Sequence, residues 1–185
     1  ILPTHNARAR RTFMDVMQRR GVNLHLGEPV TQVAPGVLTT ATADIRVDEI
    51  LWVTAAGAPS WPAEAGLDVD DGGFIKVGDT LQSTSHPDVY AAGDVATMVK
   101  HPRPKSGGLA VRQGKPLERN LRRSLLGRKL LTFRPQSNFL GLISTGDKFA
   151  IASRGGWSIK GEALWRWKDW IDRRFIEKFN DLPDM

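Results

Sequence analysis

Apolar positions recur at helical spacing near both ends of the chain, and they alternate or run together in between. From Ala7 to Arg20, Ala9, Phe13 and Met17 fall every four residues with Val16 beside them, which makes one apolar stripe on a helix. Asn6 stands where an N-cap belongs, and Arg19-Arg20-Gly21 supplies cations in the last turn and then a glycine. Val22 to Leu26 alternates apolar and polar residues, as a half-buried strand does. Short β-like pieces follow at 30–33, 37–40 and 45–47, and Pro35-Gly36 punctuates the first pair as a turn. The pattern predicts a small antiparallel meander. Ile50 to Thr54 is a continuous apolar run ending in Ala55-Ala56-Gly57. Such a run suits a strand buried on both faces, and the small residues after it let backbone or ligand approach closely.

Pro59 to Gly73 reads as an acidic loop. Phe74 to Val77 and Asp88 to Ala92 are further strand candidates, the second ending at Gly93-Asp94. Gly107-Gly108 opens a helix predicted to run to Leu126 and to close at Gly127, with Leu117, Leu121 and Leu125 on its buried side. Pro116 should kink or restart that helix, because proline removes one hydrogen bond and crowds the preceding turn. Phe139 to Ile143 and Lys148 to Ser153 read as a hairpin around Ser144-Thr145-Gly146-Asp147, with a strand from Trp157 to Ile159 after it. The last element, Glu162 to Phe179, is a helix with Trp167, Ile171 and Phe175 at four-residue spacing, and Trp165, Trp170, Ile176 and Phe179 widen its apolar surface. No internal repeat or low-complexity segment interrupts the series.

Composition adds little to this until charge is mapped. With 185 residues, 41% hydrophobic and 25% charged, the chain is ordinary for a globular protein. No apolar run reaches 18 residues. The absence of cysteine removes disulfides, thiolate metal sites and a redox CxxC from this span. The opening Ile1-Leu2-Pro3-Thr4-His5 has no charged segment followed by an apolar one, so it does not read as a signal peptide, and without an initiator Met it reads as part of a longer chain. The net charge of +6 is uneven: residues 34–99 hold two basic and ten acidic residues, whereas 100–134 hold eleven basic and one acidic. A basic stretch can attract nucleic acid, an anionic membrane or a phosphorylated ligand, or it can be a solvated helix face. With only Phe133 as an aromatic between 100 and 134, nucleic acid is the disfavoured partner. The four histidines are dispersed without metal-ligand spacing, no Gly-x-Ser-x-Gly elbow occurs, and Asp70-Asp71 lacks a calcium-loop pattern.

The stretch that carries chemistry is Thr84-Ser85-His86-Pro87-Asp88-Val89-Tyr90-Ala91-Ala92-Gly93-Asp94. A turn feeds an apolar strand that ends in small residues and one carboxylate, and ligands bind at the C-terminal ends of strands in α/β sheets. Gly93 would let a cofactor approach the backbone, and Asp94 can accept hydrogen bonds from a polyol.

These eleven residues resemble the second FAD fingerprint of the pyridine nucleotide-disulfide oxidoreductase superfamily. The resemblance implies that Asp94 binds the ribitol of FAD and that Gly93 lies beside the pyrophosphate and ribitol. Trp52-Val53-Thr54-Ala55-Ala56-Gly57 resembles the Ala-Thr-Gly-type motif of the strand that returns from the NAD domain to the FAD domain, which adds Ala56 and Gly57 as cofactor-binding positions. Gly108-Leu109-Ala110-Val111-Arg112-Gln113-Gly114 is similar to the helix start that faces the flavin in type II NADH dehydrogenases. Gly108, Leu109 and Ala110 would there present the positive end of a helix to reduced flavin. Gly108 and Arg112 stand where quinone-reducing members carry glutamines, so the likeness does not extend to quinone as acceptor. With His101 to Lys105, Arg134-Pro135-Gln136, Ser144 to Asp147, Trp165 to Asp169 and the closing Phe179 to Pro183, the chain further resembles the module fused in front of selenide, water dikinase in some bacteria.

The resemblance implies an α/β fold: part of a doubly wound FAD/NAD(P)-binding domain with an antiparallel meander, plus a C-terminal α+β domain of hairpin and helix. It implies the trailing part of an NAD(P)-binding domain at 1–49, the second half of an FAD domain at 50–127 and the C-terminal domain at 128–185. The activity implied is a flavin-dependent NAD(P)H oxidoreductase that passes hydride from NAD(P)H to FAD and on to a small-molecule acceptor. No acid or base residue is assigned. Neither GxGxxG turn needed for the two nucleotides lies in these residues, so FAD binding by the span alone should be weak or absent. The rival readings are a non-catalytic dimerisation module using the Trp-rich end, and a nucleic-acid binder using 100–134. Residues 162–179 combine tryptophans and cations as membrane-surface helices do, which would place a cytoplasmic protein peripherally at the inner membrane. Asp169, Asp172 and Glu177 favour instead i,i+4 pairs and packing of Trp165, Trp167 and Trp170 on the hairpin.

Overall fold

The computed structural model describes residues 1–137 and 139–180. In chain order the elements are α1 (Ala7–Arg19), β1 (Val30–Ala34), β2 (Val37–Thr40), β3 (Asp44–Arg46), α2 (Trp61–Glu64), β4 (Ile75–Val77), a 3₁₀ turn (Gly93–Val95), β5 (Ala96–Met98), α3 (Gly107–Leu125), β6 (Gly141–Gly146), β7 (Phe149–Arg154), β8 (Trp157–Gly161) and α4 (Glu162–Asn180). They form two compact units. One is residues 1–50 with the described residues from Ser137 onward; the other is Leu51–Gln136.

In the first unit, β6, β7 and β8 make an antiparallel sheet in sequence order, with Ile143 opposite Ile151 and Ala152 opposite Ile159. Ala150, Ile151 and Ala152 of the central strand are buried, and covering Ile151 alone contributes roughly 2 kcal/mol. Both α1 and α4 pack on β7. The Asn6 carboxamide explains how the chain's start joins its end. Its oxygen caps α1 by accepting from Ala9 N–H at 2.9 Å, and its nitrogen donates to Ser153 Oγ, the Gly155 carbonyl and the Trp157 carbonyl. The sequence places residues 1–49 and 128–185 in separate domains, whereas these bonds put them in one unit. The meander β1-β2-β3 forms as expected, with Ala34 opposite Val37 across the Pro35-Gly36 turn.

Helix α4 meets the sheet only through its first turns. Leu164, Trp165, Lys168 and Asp169 are half-buried, while Trp167 and Trp170 are 43% and 54% exposed. Packing on the hairpin therefore holds for Trp165 and not for Trp167 or Trp170. The i,i+4 pairs do form, between Lys168 and Asp172 and between Asp169 and Arg173. Of the closing Phe179 to Pro183, residues 181–183 lie outside the described residues.

In the second unit, β4 and β5 pair in parallel, with Ile75 beside Ala96 and Val77 beside Met98. Ile75, Val77, Leu81, Ala91, Ala96 and Met98 form the core, and Leu117 of α3 and Phe133 pack against it. Residues 128–136 belong to this unit because they return along it: Phe133 N–H donates to the Asp79 carbonyl at 2.7 Å. Helix α3 runs through Pro116 without stopping or restarting. The carbonyl that Pro116 cannot serve is that of Arg112, an exposed residue at which water can replace the bond.

Three predicted strands are not strands. Val22–Leu26 and Ile50–Thr54 are unpaired, with Leu51 90% and Val53 80% exposed. Asp88–Ala92 makes only a single bridge, Tyr90 to Gln82, although Ala92 is extended at φ −146°, ψ 163°. A strand is defined by its neighbours, and none of these segments has a ladder partner among the described residues. Conversely, α2 forms within the segment read as a loop, started by Pro62 near its N-terminus, and β5 forms where no strand is predicted.

Candidate functional site

After the Pro87–Asp88 turn the chain reaches extended Ala92 and then turns through Gly93 at φ +76°, a conformation that glycine adopts at no steric cost. A 3₁₀ turn carries Asp94 and delivers the chain to β5. Asp94 thus stands at the N-terminal entry of β5 and not at the C-terminal tip of a paired strand, because 88–92 finds no ladder. Its carboxylate is exposed and takes part in no hydrogen bond or ion pair among the described residues.

The Gly93 turn is fixed from α3. Gln113, 1% exposed, accepts the Gly93 N–H at 2.7 Å through its Oε1. A Cβ on Gly93 would lie 3.5 Å from that of Ala110. Sequence reasoning singled out Gly93, Asp94 and Ala110 but missed this clamp. The available signal is that Gln113 lies four residues before Leu117, a polar residue on the buried stripe of α3.

Helix α3 begins weakly by local rules. Its N-cap Ser106 makes no side-chain cap, its first turn has no acid, and it opens with two exposed glycines. Leu109 and Ala110, both half-buried, make the first backbone bonds, each donating to the Ser106 carbonyl. The earlier N–H groups, those of Gly107 and Gly108, have no intrahelical acceptor, and neither residue carries a side chain to cover them.

Lys105 precedes this helix start directly. Its Nζ donates to the Ala96 carbonyl at 2.6 Å and to Thr97 Oγ1 at 2.8 Å, and it sits 3.9 Å from the Phe74 ring centroid. Burial lowers its pKa, and the opposing charges of Asp70 and Asp94 restore only part of that loss. Burial also pushes the Asp70 carboxyl up, but hydrogen bonds from Thr97, Phe74 and Gly72 and the Lys105 charge outweigh it and hold the group low. The Asp70 Oδ1 accepts from the Gly72 and Phe74 amides at 3.0 Å each.

The structure therefore brings Gly93, Asp94 and the first turn of α3, with Gly108, Leu109 and Ala110, into one neighbourhood. It does not bring Ala56 and Gly57 there. Both lie in the unpaired exposed segment, and nothing comes within 4 Å of a Cβ placed on Gly57. A cavity of about 330 Å³, lined by Val16, Arg19, Arg20, Thr145, Asp147 and Phe149, includes none of these residues. Among the described residues no three His, Asp or Glu side chains converge as metal ligands.

The sequence profile of the pyridine nucleotide-disulphide oxidoreductases matches residues 1–114. A ferroptosis suppressor protein 1 from Xenopus laevis is 28% identical over 161 residues, covering 80% of this chain and 42% of that protein. A type II NADH:quinone oxidoreductase from Haemophilus influenzae is 26% identical over 102 residues, covering 54% of this chain and 23% of that protein. The sulfide:quinone oxidoreductase of Aquifex aeolicus shares the fold with a TM-score of 0.73 at 13% identity, covering 94% of this chain and 45% of that one. The chain thus spans less than half the length of these relatives. With the profile covering more than half of the 185 residues, the chain belongs to the pyridine nucleotide-disulphide oxidoreductase family.

Proposed function

We propose that these residues are the C-terminal portion of a flavin-dependent NAD(P)H oxidoreductase, in which hydride passes from NAD(P)H to FAD and on to a small-molecule acceptor. One observation carries the reading. The Gly93–Asp94 turn is clamped by Gln113 and leaves an unpaired carboxylate beside a helix start whose first amides are free. Those residues fit one end of an FAD molecule. Gly93 offers backbone without a Cβ, the Asp94 carboxylate can accept from ribitol hydroxyls, and the Gly107–Gly108 amides can donate to the electron-rich edge of the ring. When bound, the flavin supplies the hydride and electron chemistry, while this chain's residues bind and orient it. Ala56 and Gly57 belong to the same proposal through their motif, with 50–57 ordering against strands contributed by the rest of the parent protein. The likeness to the module that precedes selenide, water dikinase makes such a fusion part of the proposal, and the parent reading frame tests it directly.

Asp94→Ala in the full-length protein is expected to lower FAD occupancy of the purified protein by about tenfold, since each such loss corresponds to roughly 1.4 kcal/mol. The measure is flavin absorbance per polypeptide. Full occupancy in the variant sinks the flavin reading and favours the non-catalytic module.

A membrane contact is supported by α4. Trp167, Trp170, Ile171, Phe175 and Phe179 lie exposed along one helix face, with Arg174 over the Trp170 ring at 5.3 Å. This face suits the boundary of an anionic bilayer and supports a peripheral position at the inner membrane. Cosedimentation with phosphatidylglycerol vesicles is expected for the unaltered chain and should fall at least about tenfold in a W170E/F175E variant, given the cost of placing charge among acyl chains. A concentration-dependent dimer without vesicle binding would assign the face to a second copy instead.

A further inference from the structure

We propose that Lys105 is a positioning residue: its ammonium pins the N-terminus of α3 to β5 and so holds that helix start in register with Asp94. The argument begins with what α3 lacks. Ser106 does not cap it, no acid stands in its first turn, and Gly107 and Gly108 are the least favourable ordinary residues for a helix start. Left to local rules, this turn frays. The tether comes from the preceding residue. The Lys105 Nζ spends its donors on Ala96 and Thr97, which belong to β5, the strand that the Asp94 turn enters. It rests on Phe74, next to β4, so one group grips both parallel strands. The side chain is half-buried, and partners of this kind offset the hydration that a partly covered ammonium loses. The carboxylates of Asp70 and Asp94 both bear on its charge, so the same cation also offsets the acid in the turn.

Gln113 and Lys105 then act from two sides. Gln113 ties the second turn of α3 to Gly93, and Lys105 ties the residue before its first turn to Ala96 and Thr97. Together they set the distance between a carboxylate and a set of free amides. That spacing is what a long ligand with a polyol at one point and an electron-rich ring edge at another must match. The ligand part of the inference rests on the flavin reading; the register of α3 does not.

The test separates the two. Amide hydrogen exchange on this chain with Lys105→Met is expected to speed up by about tenfold at Leu109 and Ala110, while the β4 and β5 amides keep their wild-type rates. Lys105→Arg, which keeps the charge and the reach, should restore most of the protection. Uniform acceleration through residues 51–136, or none at Leu109 and Ala110, overturns the inference. If Lys105→Met does not fold, Thr97→Val removes one acceptor only. A smaller acceleration at the same two amides then supports the proposal, and its absence overturns it. In the full-length protein, Lys105→Met should weaken FAD binding by about tenfold with partial rescue by Lys105→Arg. Altered exchange with FAD binding unchanged in both Lys105→Met and Asp94→Ala refutes the flavin reading and leaves the register intact. Altered exchange with FAD binding lost only in Asp94→Ala overturns the ligand part of this inference.

Discussion

Replacing Asn120 with leucine is expected to destabilise the 51–136 unit by about 3 kcal/mol or more. Asn120 is fully buried in the middle of α3, yet its side chain is a connector. Its Nδ2 donates to the carbonyls of Thr80 and Leu131 at 2.9 and 2.8 Å, and its Oδ1 accepts the Leu131 N–H at 2.8 Å. It thereby joins three separate segments: the helix, the loop after β4 and the returning chain. Leucine has the same branching but is bulkier, so it would crowd the space as well as leave two carbonyls and one amide without partners, each costing about 1–3 kcal/mol when buried. Hydrophobic gain offsets only part of this. Urea unfolding followed through the unit's own amides should show the loss, with Leu131 the first to exchange. An Asn120→Leu variant as stable as the parent would mean that these groups rehydrate without cost.

The second large effect is expected at Gly93. Valine there meets two penalties. A β-branched residue at φ +76° is a backbone outlier costing about 1–3 kcal/mol, and its γ-carbons extend from a Cβ already 3.5 Å from Ala110. Alanine meets only the backbone cost, which is about 1 kcal/mol. Comparing Gly93→Ala with Gly93→Val by thermal unfolding separates strain from crowding. Both should move the Gly93 N–H away from Gln113 and displace Asp94, so FAD occupancy of the full-length protein should fall in Gly93→Val beyond what its lost stability explains. Equal stability of the two variants would show that α3 yields freely at Ala110.

What could be read from the sequence depended on how local each element's reasons are. Helix α1 was predicted for 7–20 and spans Ala7–Arg19, because the stripe, the Asn6 cap and the closing cations all lie within it. The hairpin, β8 and α4 were legible for the same reason: turn residues and periodicity sit beside each other in the chain. Residues 22–26, 50–54 and 88–92 are not strands because a strand's hydrogen bonds belong to its neighbours, which sequence pattern cannot supply. At the site, glycine and a lone carboxylate were readable from their motif. Gln113, Asn120 and Lys105 were not, since each acts across 9 to 40 residues of sequence on backbone groups that carry no side-chain signature. Trp167 and Trp170 of α4 stay exposed, because periodicity reports an apolar face without reporting whether anything lies against it.

The discontinuity of the first unit bears on how the protein comes into being. A ribosome releases the chain from its N-terminus, and domains close as soon as their contacts exist. The core contacts of residues 51–136 are all available once Gln136 has emerged. By contrast, Asn6 must wait for Ser153, Gly155 and Trp157, almost 150 residues later, before its nitrogen is satisfied. The contacts of the inner unit can therefore close while α1 stays an open half of a joint, until β7 and β8 emerge to meet it.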